Sequence, residues 1–195
     1  MTLTTMLMAG GESRRMGCDK ATLTIGGVPL WQRQLHVLTE LKPTAVWVSA
    51  RNRPAWCPKE IEVILDEHPS RGPLSGLVAG LNRLQTSHLL ALAIDLPNVS
   101  TEYLQKLCSR VRPGCAVIPA NADYFEPLCA IYPLEVEPLV REALSSQDVS
   151  LQQVAKALIQ QNRAEVYAVP PDERSIYLNL NSPSDLQSSH KTARL

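Results

Sequence analysis

The sequence predicts an α/β fold: a single domain with a mostly parallel, doubly wound, Rossmann-like sheet. Three observations lead there. Short apolar runs suited to strands alternate with helical periodicities through roughly the first 120 residues, the signature of strand–helix–strand units. His88–Ile94 is the most continuously apolar run in the chain, as expected of a central parallel strand buried on both faces. The first apolar run, Leu3–Ala9, ends in Gly10-Gly11, at the carboxyl edge where such sheets take their ligands.

That first strand feeds the stretch Met8-Ala9-Gly10-Gly11-Glu12-Ser13-Arg14-Arg15-Met16-Gly17-Cys18-Asp19-Lys20. Two glycines let the backbone turn with positive φ and approach a ligand with no Cβ in the way. Consecutive amides in such a turn form a concavity suited to an anion, and Arg14, Arg15 and Lys20 add full positive charge. Two readings stand: a phosphate-binding loop, or a glycine turn carrying solvated charges. The loop is not a Walker motif, because Cys18 and Asp19 separate Gly17 from Lys20 and Ala21 follows; the fingerprint G-x-G-x-x-G is absent as well.

Ala21–Ile25 alternates and meets Gly26-Gly27, which predicts a short extended segment. Pro29 opens a helix with Trp31, Leu35, Leu38 and Leu41 on one face, ended by Lys42-Pro43. Ala45–Ala50 and Ile61–Leu65 are strands. Pro73 starts the next helix, with Leu74, Leu77, Val78, Leu81 and Leu84 as its stripe. Gly76 and Gly80 lie on that stripe; each costs about 1 kcal/mol against alanine, so they mark close packing or ligand approach, or are simply tolerated. Ser100 caps a helix bearing Tyr103, Leu104, Leu107 and Val111, and Cys115–Pro119 is a strand. A turn at Asn121-Ala122-Asp123 and an extended return over Glu126–Tyr132 follow. Two helices come next, the second capped by Ser150, then a strand at Glu165–Val169. Ile176–Leu180 is extended, Asn181-Ser182-Pro183 starts a last helix, and His190–Leu195 is a frayed tail.

Composition narrows the function. With 195 residues, 45% of them hydrophobic, the chain can build one sizeable core. Lys+Arg and Asp+Glu both number 19, which argues against a nucleic-acid coat or a polybasic membrane patch. The five cysteines are odd in number and show no C-x-x-C, so reduced cytosolic thiols are expected rather than disulfides or a zinc site. Cys18 is a reactive thiol or a small spacer. No basic leader and no run of about 18 apolar residues occurs, so a soluble cytoplasmic protein without a membrane partner is expected.

The strand-end rule puts the Gly10 loop, Ser49–Arg51, Asp66 and Asp95 on one rim. Asp95 is the candidate carboxylate for Mg²⁺, which keeps most of its waters and is held by one or two carboxylates plus substrate phosphates; the other reading is a cap for the turn at Pro97. Asp66 accepts hydrogen bonds from a base or ribose, or caps the loop before Pro69. Glu67 and His68 are expected to face solvent. No Ser-His-Asp or Cys-His arrangement can be argued. Phosphoryl and nucleotidyl transfer needs positioning and charge neutralisation more than covalent work by the protein, which Arg15, Lys20 and Asp95 can supply.

The opening stretch resembles the loop LAGGxSxRMGxDK of the sugar-nucleotide and cofactor nucleotidyltransferases, and among them the chain is most similar to the molybdenum cofactor guanylyltransferase family. Gly72-Pro73-Leu74-Ser75-Gly76 resembles that family's GPLxG, Asp95-Leu96-Pro97 its metal-binding D-x-P, Glu126-Pro127-Leu128 its E/H-P-L/T segment, and Asn179-Leu180-Asn181-Ser182-Pro183 its NxNTPE ending. The five motifs stand in order over nearly the whole chain. The resemblance implies that Met8, Ala9, Gly10 and Gly11 line the nucleotide, that Arg15 and Lys20 contact phosphates, and that Asp66 lies near the nucleoside. It also implies that Asp95 holds Mg²⁺ and touches GTP, and that Asn179 and Asn181 bind the pterin acceptor. The implied reaction moves GMP from GTP to the phosphate of the molybdopterin cofactor. The implied partners are GTP, that acceptor, and a protein that delivers the cofactor or an apo-molybdoenzyme that receives it.

The chain departs from the pattern in places. Met8 replaces a leucine. Ser49 stands where some members carry Asn, so it is left outside the expected site. Asp185 replaces a glutamate, which bears on the acceptor end. Alternatives are a nucleotidyltransferase with another base or acceptor, such as CTP or a sugar-1-phosphate, and a silent nucleotide-binding module on the same fold.

Overall fold

The computed structural model describes residues 1–10, 19–121, 124–146 and 150–179. Strand β1 (Leu3–Met8) is followed by a single 3-10 turn at Lys20–Thr22 and a small hairpin of β2 (Thr24–Ile25) and β3 (Val28–Pro29). Helix α1 (Leu30–Thr39), β4 (Ala45–Ala50), β5 (Glu62–Leu65), α2 (Pro73–Arg83), β6 (His88–Ala93) and α3 (Thr101–Cys108) come next. The remainder comprises β7 (Ala116–Asn121), β8 (Tyr124–Phe125), β9 (Cys129–Pro133), α4 (Glu137–Ser145), α5 (Leu151–Gln160), β10 (Ala164–Ala168) and a 3-10 segment at Pro171–Tyr177.

The main sheet runs β10-β7-β9-β6-β1-β4-β5, with β8 beside β7. β1 pairs in parallel with both β4 and β6, β4 with β5, and β10 with β7. β9 is antiparallel to β6 and to β7, so it is the reversed strand inside an otherwise parallel run. The expected mostly parallel, doubly wound α/β sheet is therefore what forms. β6 is central and fully buried, but parallel to its neighbour on one side only.

Period-two alternation assigns side chains to the two faces. Leu7, Val48, Leu90 and Leu92 face α1 and α3, whose Leu30, Leu35, Leu38, Tyr103, Leu104 and Leu107 complete that layer. Met6, Met8, Trp47, Leu89 and Ala91 face α2, α4 and α5. In α2, Leu74, Leu77, Val78 and Leu81 are all fully buried. Each such side chain contributes about 1.5–3 kcal/mol, which outweighs the roughly 1 kcal/mol that each of Gly76 and Gly80 costs the helix. Those glycines are there for packing. A Cβ on Gly80 would lie 2.6 Å from Met6 Cε, and one on Gly76 would run into Ser49 Oγ.

Several local expectations are corrected. Ala21 and Thr22 belong to a 3-10 turn instead of an extended segment, because the Asp19 carboxylate accepts the Ala21 N–H at 3.0 Å and turns the chain there. On α1, Trp31 is only half-buried; Gln34 takes the inner position, its amide donating to the Leu96 carbonyl at 2.6 Å. Glu67 is half-buried, 3.6 Å from Arg141, while His68 is exposed as expected. Ile176 and Tyr177 end a 3-10 segment rather than starting a strand. That segment is clasped from outside: Lys106 and Tyr167 hold Glu173, and the Tyr103 and Tyr177 hydroxyls meet in the core. The last helix and tail, most of the turn at 121–123, and Cys18 lie outside the described residues. Cys57, Cys108, Cys115 and Cys129 are free thiols. No helix among the described residues is long and apolar enough to cross a membrane.

Candidate active site

The carboxyl ends of β1, β4, β5 and β6 are levelled by backbone hydrogen bonds that continue past the strands. Ala9 N–H donates to the Ser49 carbonyl at 2.9 Å, Asp66 N–H to Ala50 at 3.2 Å, and Ile94 N–H to Met8 at 3.2 Å. Four consecutive loops are thereby held to one rim. Between them is a cleft lined by Met8, Ala9, Gly10, Asp19, Lys20, Ser49, Asp66, Pro73, Ala93, Ile94, Asp95 and Leu128. The amino end of α2 reaches the same cleft through Pro73, which favours negative charge there. Gly72, just before it, has φ 78°, a turn that an L-residue adopts only under strain.

The two residues on which the expected chemistry depends meet in this cleft. Lys20 Nζ lies 3.5 Å from Asp95 Oδ2, with side chains 20% and 28% exposed. Lys20 is presented by the 3-10 turn that Asp19 caps. Asp95 stands just beyond β6, whose six residues are all buried. A cation and a carboxylate on two rigid supports, both partly open to water, can each turn to a ligand: the ammonium to phosphate oxygens, the carboxylate to a cation that those phosphates share.

Asp66 is 9% exposed and accepts from Ser70 Oγ at 2.8 Å and from Ser49 Oγ at 3.5 Å. It thus holds its own loop and still borders the cleft beside Gly10, where an added Cβ would sit 3.5 Å from its Oδ2. Ser49, left out on sequence grounds, lines the cleft and orients Asp66. Its position at the end of a strand on the rim was the available signal. Asp19 and Leu128 were also missed. Leu128 reaches the cleft because its carbonyl accepts the Ala93 N–H at 2.6 Å, drawing the turn before β9 onto the end of β6. Glu126, in the same turn, has its carboxyl pushed up to about 7: burial is the largest cause, a hydrogen bond from Asn121 opposes it, and the Asp95 charge adds to it.

Of the expected site residues, Met8, Ala9, Gly10, Lys20, Asp66 and Asp95 are brought together. Gly11, Arg15 and Asn181 lie outside the described residues. Asn179 is exposed, just after the anchored Tyr177, and does not line the cleft formed by the described residues.

A mostly parallel sheet whose carboxyl rim sets a lysine beside an aspartate, with Gly10 lining the same cleft, is the framework of a nucleotidyltransferase. The chain belongs to the MobA-like NTP transferase domain family, whose model matches residues 5–166. It is 35% identical over 182 residues to "Probable molybdenum cofactor guanylyltransferase" of Opitutus terrae, covering 92% of this chain and 90% of that one. It is 34% identical over 203 residues to "Molybdenum cofactor guanylyltransferase" of Cereibacter sphaeroides, covering 100% and 98%. Among solved structures, molybdopterin-guanine dinucleotide biosynthesis protein A from Archaeoglobus fulgidus superposes with a TM-score of 0.70 at 25% identity, over 97% of this chain and 98% of that one.

Proposed function

We propose that this chain transfers GMP from GTP to the terminal phosphate of the molybdenum–molybdopterin cofactor, in the cytoplasm, giving the guanine dinucleotide form of the cofactor and pyrophosphate. The observation that carries the reading is the meeting of Lys20 and Asp95 in one cleft, in a chain 34–35% identical to molybdenum cofactor guanylyltransferases over nearly its whole length. In the transfer, an oxygen of the acceptor phosphate attacks the α-phosphorus of GTP. The bond from that phosphorus to the bridging oxygen breaks, and pyrophosphate leaves with the electron pair. A phosphate monoester is already ionised near neutral pH, so no general base is required of the protein.

The residues divide the work. Met8, Ala9, Gly10 and Gly11 let the nucleotide lie against bare backbone. Asp66, steadied by Ser49 and Ser70, accepts hydrogen bonds from the nucleoside. Lys20 and Arg15 take the phosphates and keep their charge neutralised as it shifts to the leaving pyrophosphate. Asn179 and Asn181 bind the pterin acceptor.

The donor set fits Mg²⁺. Asp95 is a hard oxygen donor with its side chain 28% exposed at the cleft. Mg²⁺ is held by one or two carboxylates, with water and substrate phosphates completing its shell, and Asp95 at the edge of the cleft offers one such carboxylate. Asp95 would hold it, and when bound it supplies further positive charge against the phosphates.

A thermal-shift panel of GTP, CTP and UTP with Mg²⁺ tests the base. GTP is expected to stabilise the protein and the pyrimidine nucleotides to leave it unchanged. Stabilisation by CTP or UTP without GTP would overturn guanylyl transfer.

A further inference from the structure

We propose that Trp56 is a positioning residue for Lys20, acting through Asp19; the inference rests on the GTP reading of the cleft. Asp19 uses both carboxylate oxygens. Oδ1 accepts the Ala21 N–H at 3.0 Å and starts the turn whose first residue is Lys20. Oδ2 accepts the indole N–H of Trp56 at 2.8 Å. Trp56 lies in the loop between β4 and β5, and its ring stacks on Trp31 of α1 with centroids 5.7 Å apart and planes 18° from parallel. The indole is therefore fixed by a helix on one side and grips the cap of the Lys20 turn on the other.

The arrangement has two physical consequences. It locks the Asp19 carboxylate in the rotamer that caps the turn, so the Lys20 backbone is set before any ligand arrives and less freedom is lost on binding. It also occupies an anionic oxygen of Asp19, a residue that lines the same cleft. A carboxylate freed from its donor would be able to face the triphosphate or compete for Lys20, and either weakens anion binding. Trp56 is absent from every motif that identified the site; its indole N–H is linked to the cleft through Asp19.

Isothermal titration of the full chain with GTP and Mg²⁺ tests this. Trp56→Phe keeps an aromatic ring against Trp31 and removes the N–H donor. Its GTP dissociation constant is expected to rise about fivefold through the lost pre-organisation of the Lys20 turn, with a melting temperature that barely moves because the bond is exposed. Trp31→Phe, which keeps the bond and alters only the stack, is expected to bind as wild type. In a nitrogen–proton correlation spectrum, the indole resonance that Trp56→Phe deletes should shift in Asp19→Asn. Wild-type affinity in Trp56→Phe, an equal loss in Trp31→Phe, or an indole resonance indifferent to Asp19→Asn would each overturn the proposal. A wild-type protein that does not bind GTP would overturn the reading of the cleft as well.

Discussion

Gly76 on α2 packs against Ser49 on β4 with no room for another atom between them. A Cβ there would drive into Ser49 Oγ and stand 3.1 Å from Asp66 Oδ1 and from Met8 Cε. The Ser49 Oγ that would have to move is the one that donates to Asp66, so a core contact and the cleft share one glycine. For Gly76→Ala, overpacking of about 1–3 kcal/mol competes with a helix gain of about 1 kcal/mol, and net destabilisation with weaker GTP binding is expected. At Gly80 the obstructing atoms, Met6 Cε and Sδ, are the tip of a flexible side chain. Gly80→Ala should therefore stay within about 1 kcal/mol of wild type. Urea denaturation of both variants checks the order.

Lys20→Ala and Asp95→Ala are expected to cut turnover by about a hundredfold or more, the usual cost of deleting one electrostatic contact at a reacting phosphate. Both side chains are partly exposed, and such pairs contribute little to stability, so melting temperatures should barely move. Pyrophosphate release and thermal melts measured together decide the point. Wild-type rates in either variant would remove the residue from the mechanism.

Glu126 predicts a pH dependence of stability. Its carboxyl is raised from 4.5 to about 7 in the folded protein, chiefly by burial. The folded state then binds more protons than the unfolded one between those values, so stability falls as pH rises through that window. Glu126→Gln removes the ionisation. Without nucleotide or metal, it should match wild type at about pH 4, and melt higher at about pH 8. A variant that is no more stable at the higher pH would contradict the assignment.

Much of this was legible in the chain. Strand ends are readable because apolar runs stop abruptly at polar or glycine residues, and ends of parallel strands share a rim; that rule brings Gly10, Asp66 and Asp95 together, as the cleft does. The reversed direction of β9 was less accessible, since a fully buried strand shows the same apolar run whichever way it points. The 3-10 turn at Lys20 was hidden because a side-chain cap from Asp19 overrode an alternating pattern. Ser49 and Trp56 depend on contacts between distant segments, with Asp66 and Asp19 respectively. No local periodicity encodes such pairs. Arg15, Gly11 and Asn181, all outside the described residues, rest on the resemblance alone.

The most direct test of the account is phosphorus NMR of the wild-type protein with GTP, Mg²⁺ and the molybdenum–molybdopterin cofactor. The account predicts that free pyrophosphate and a guanine dinucleotide joined through a new P–O–P bridge grow together, and only when all three are present. GTP that binds and releases no pyrophosphate, or product formed with CTP and not with GTP, would contradict it.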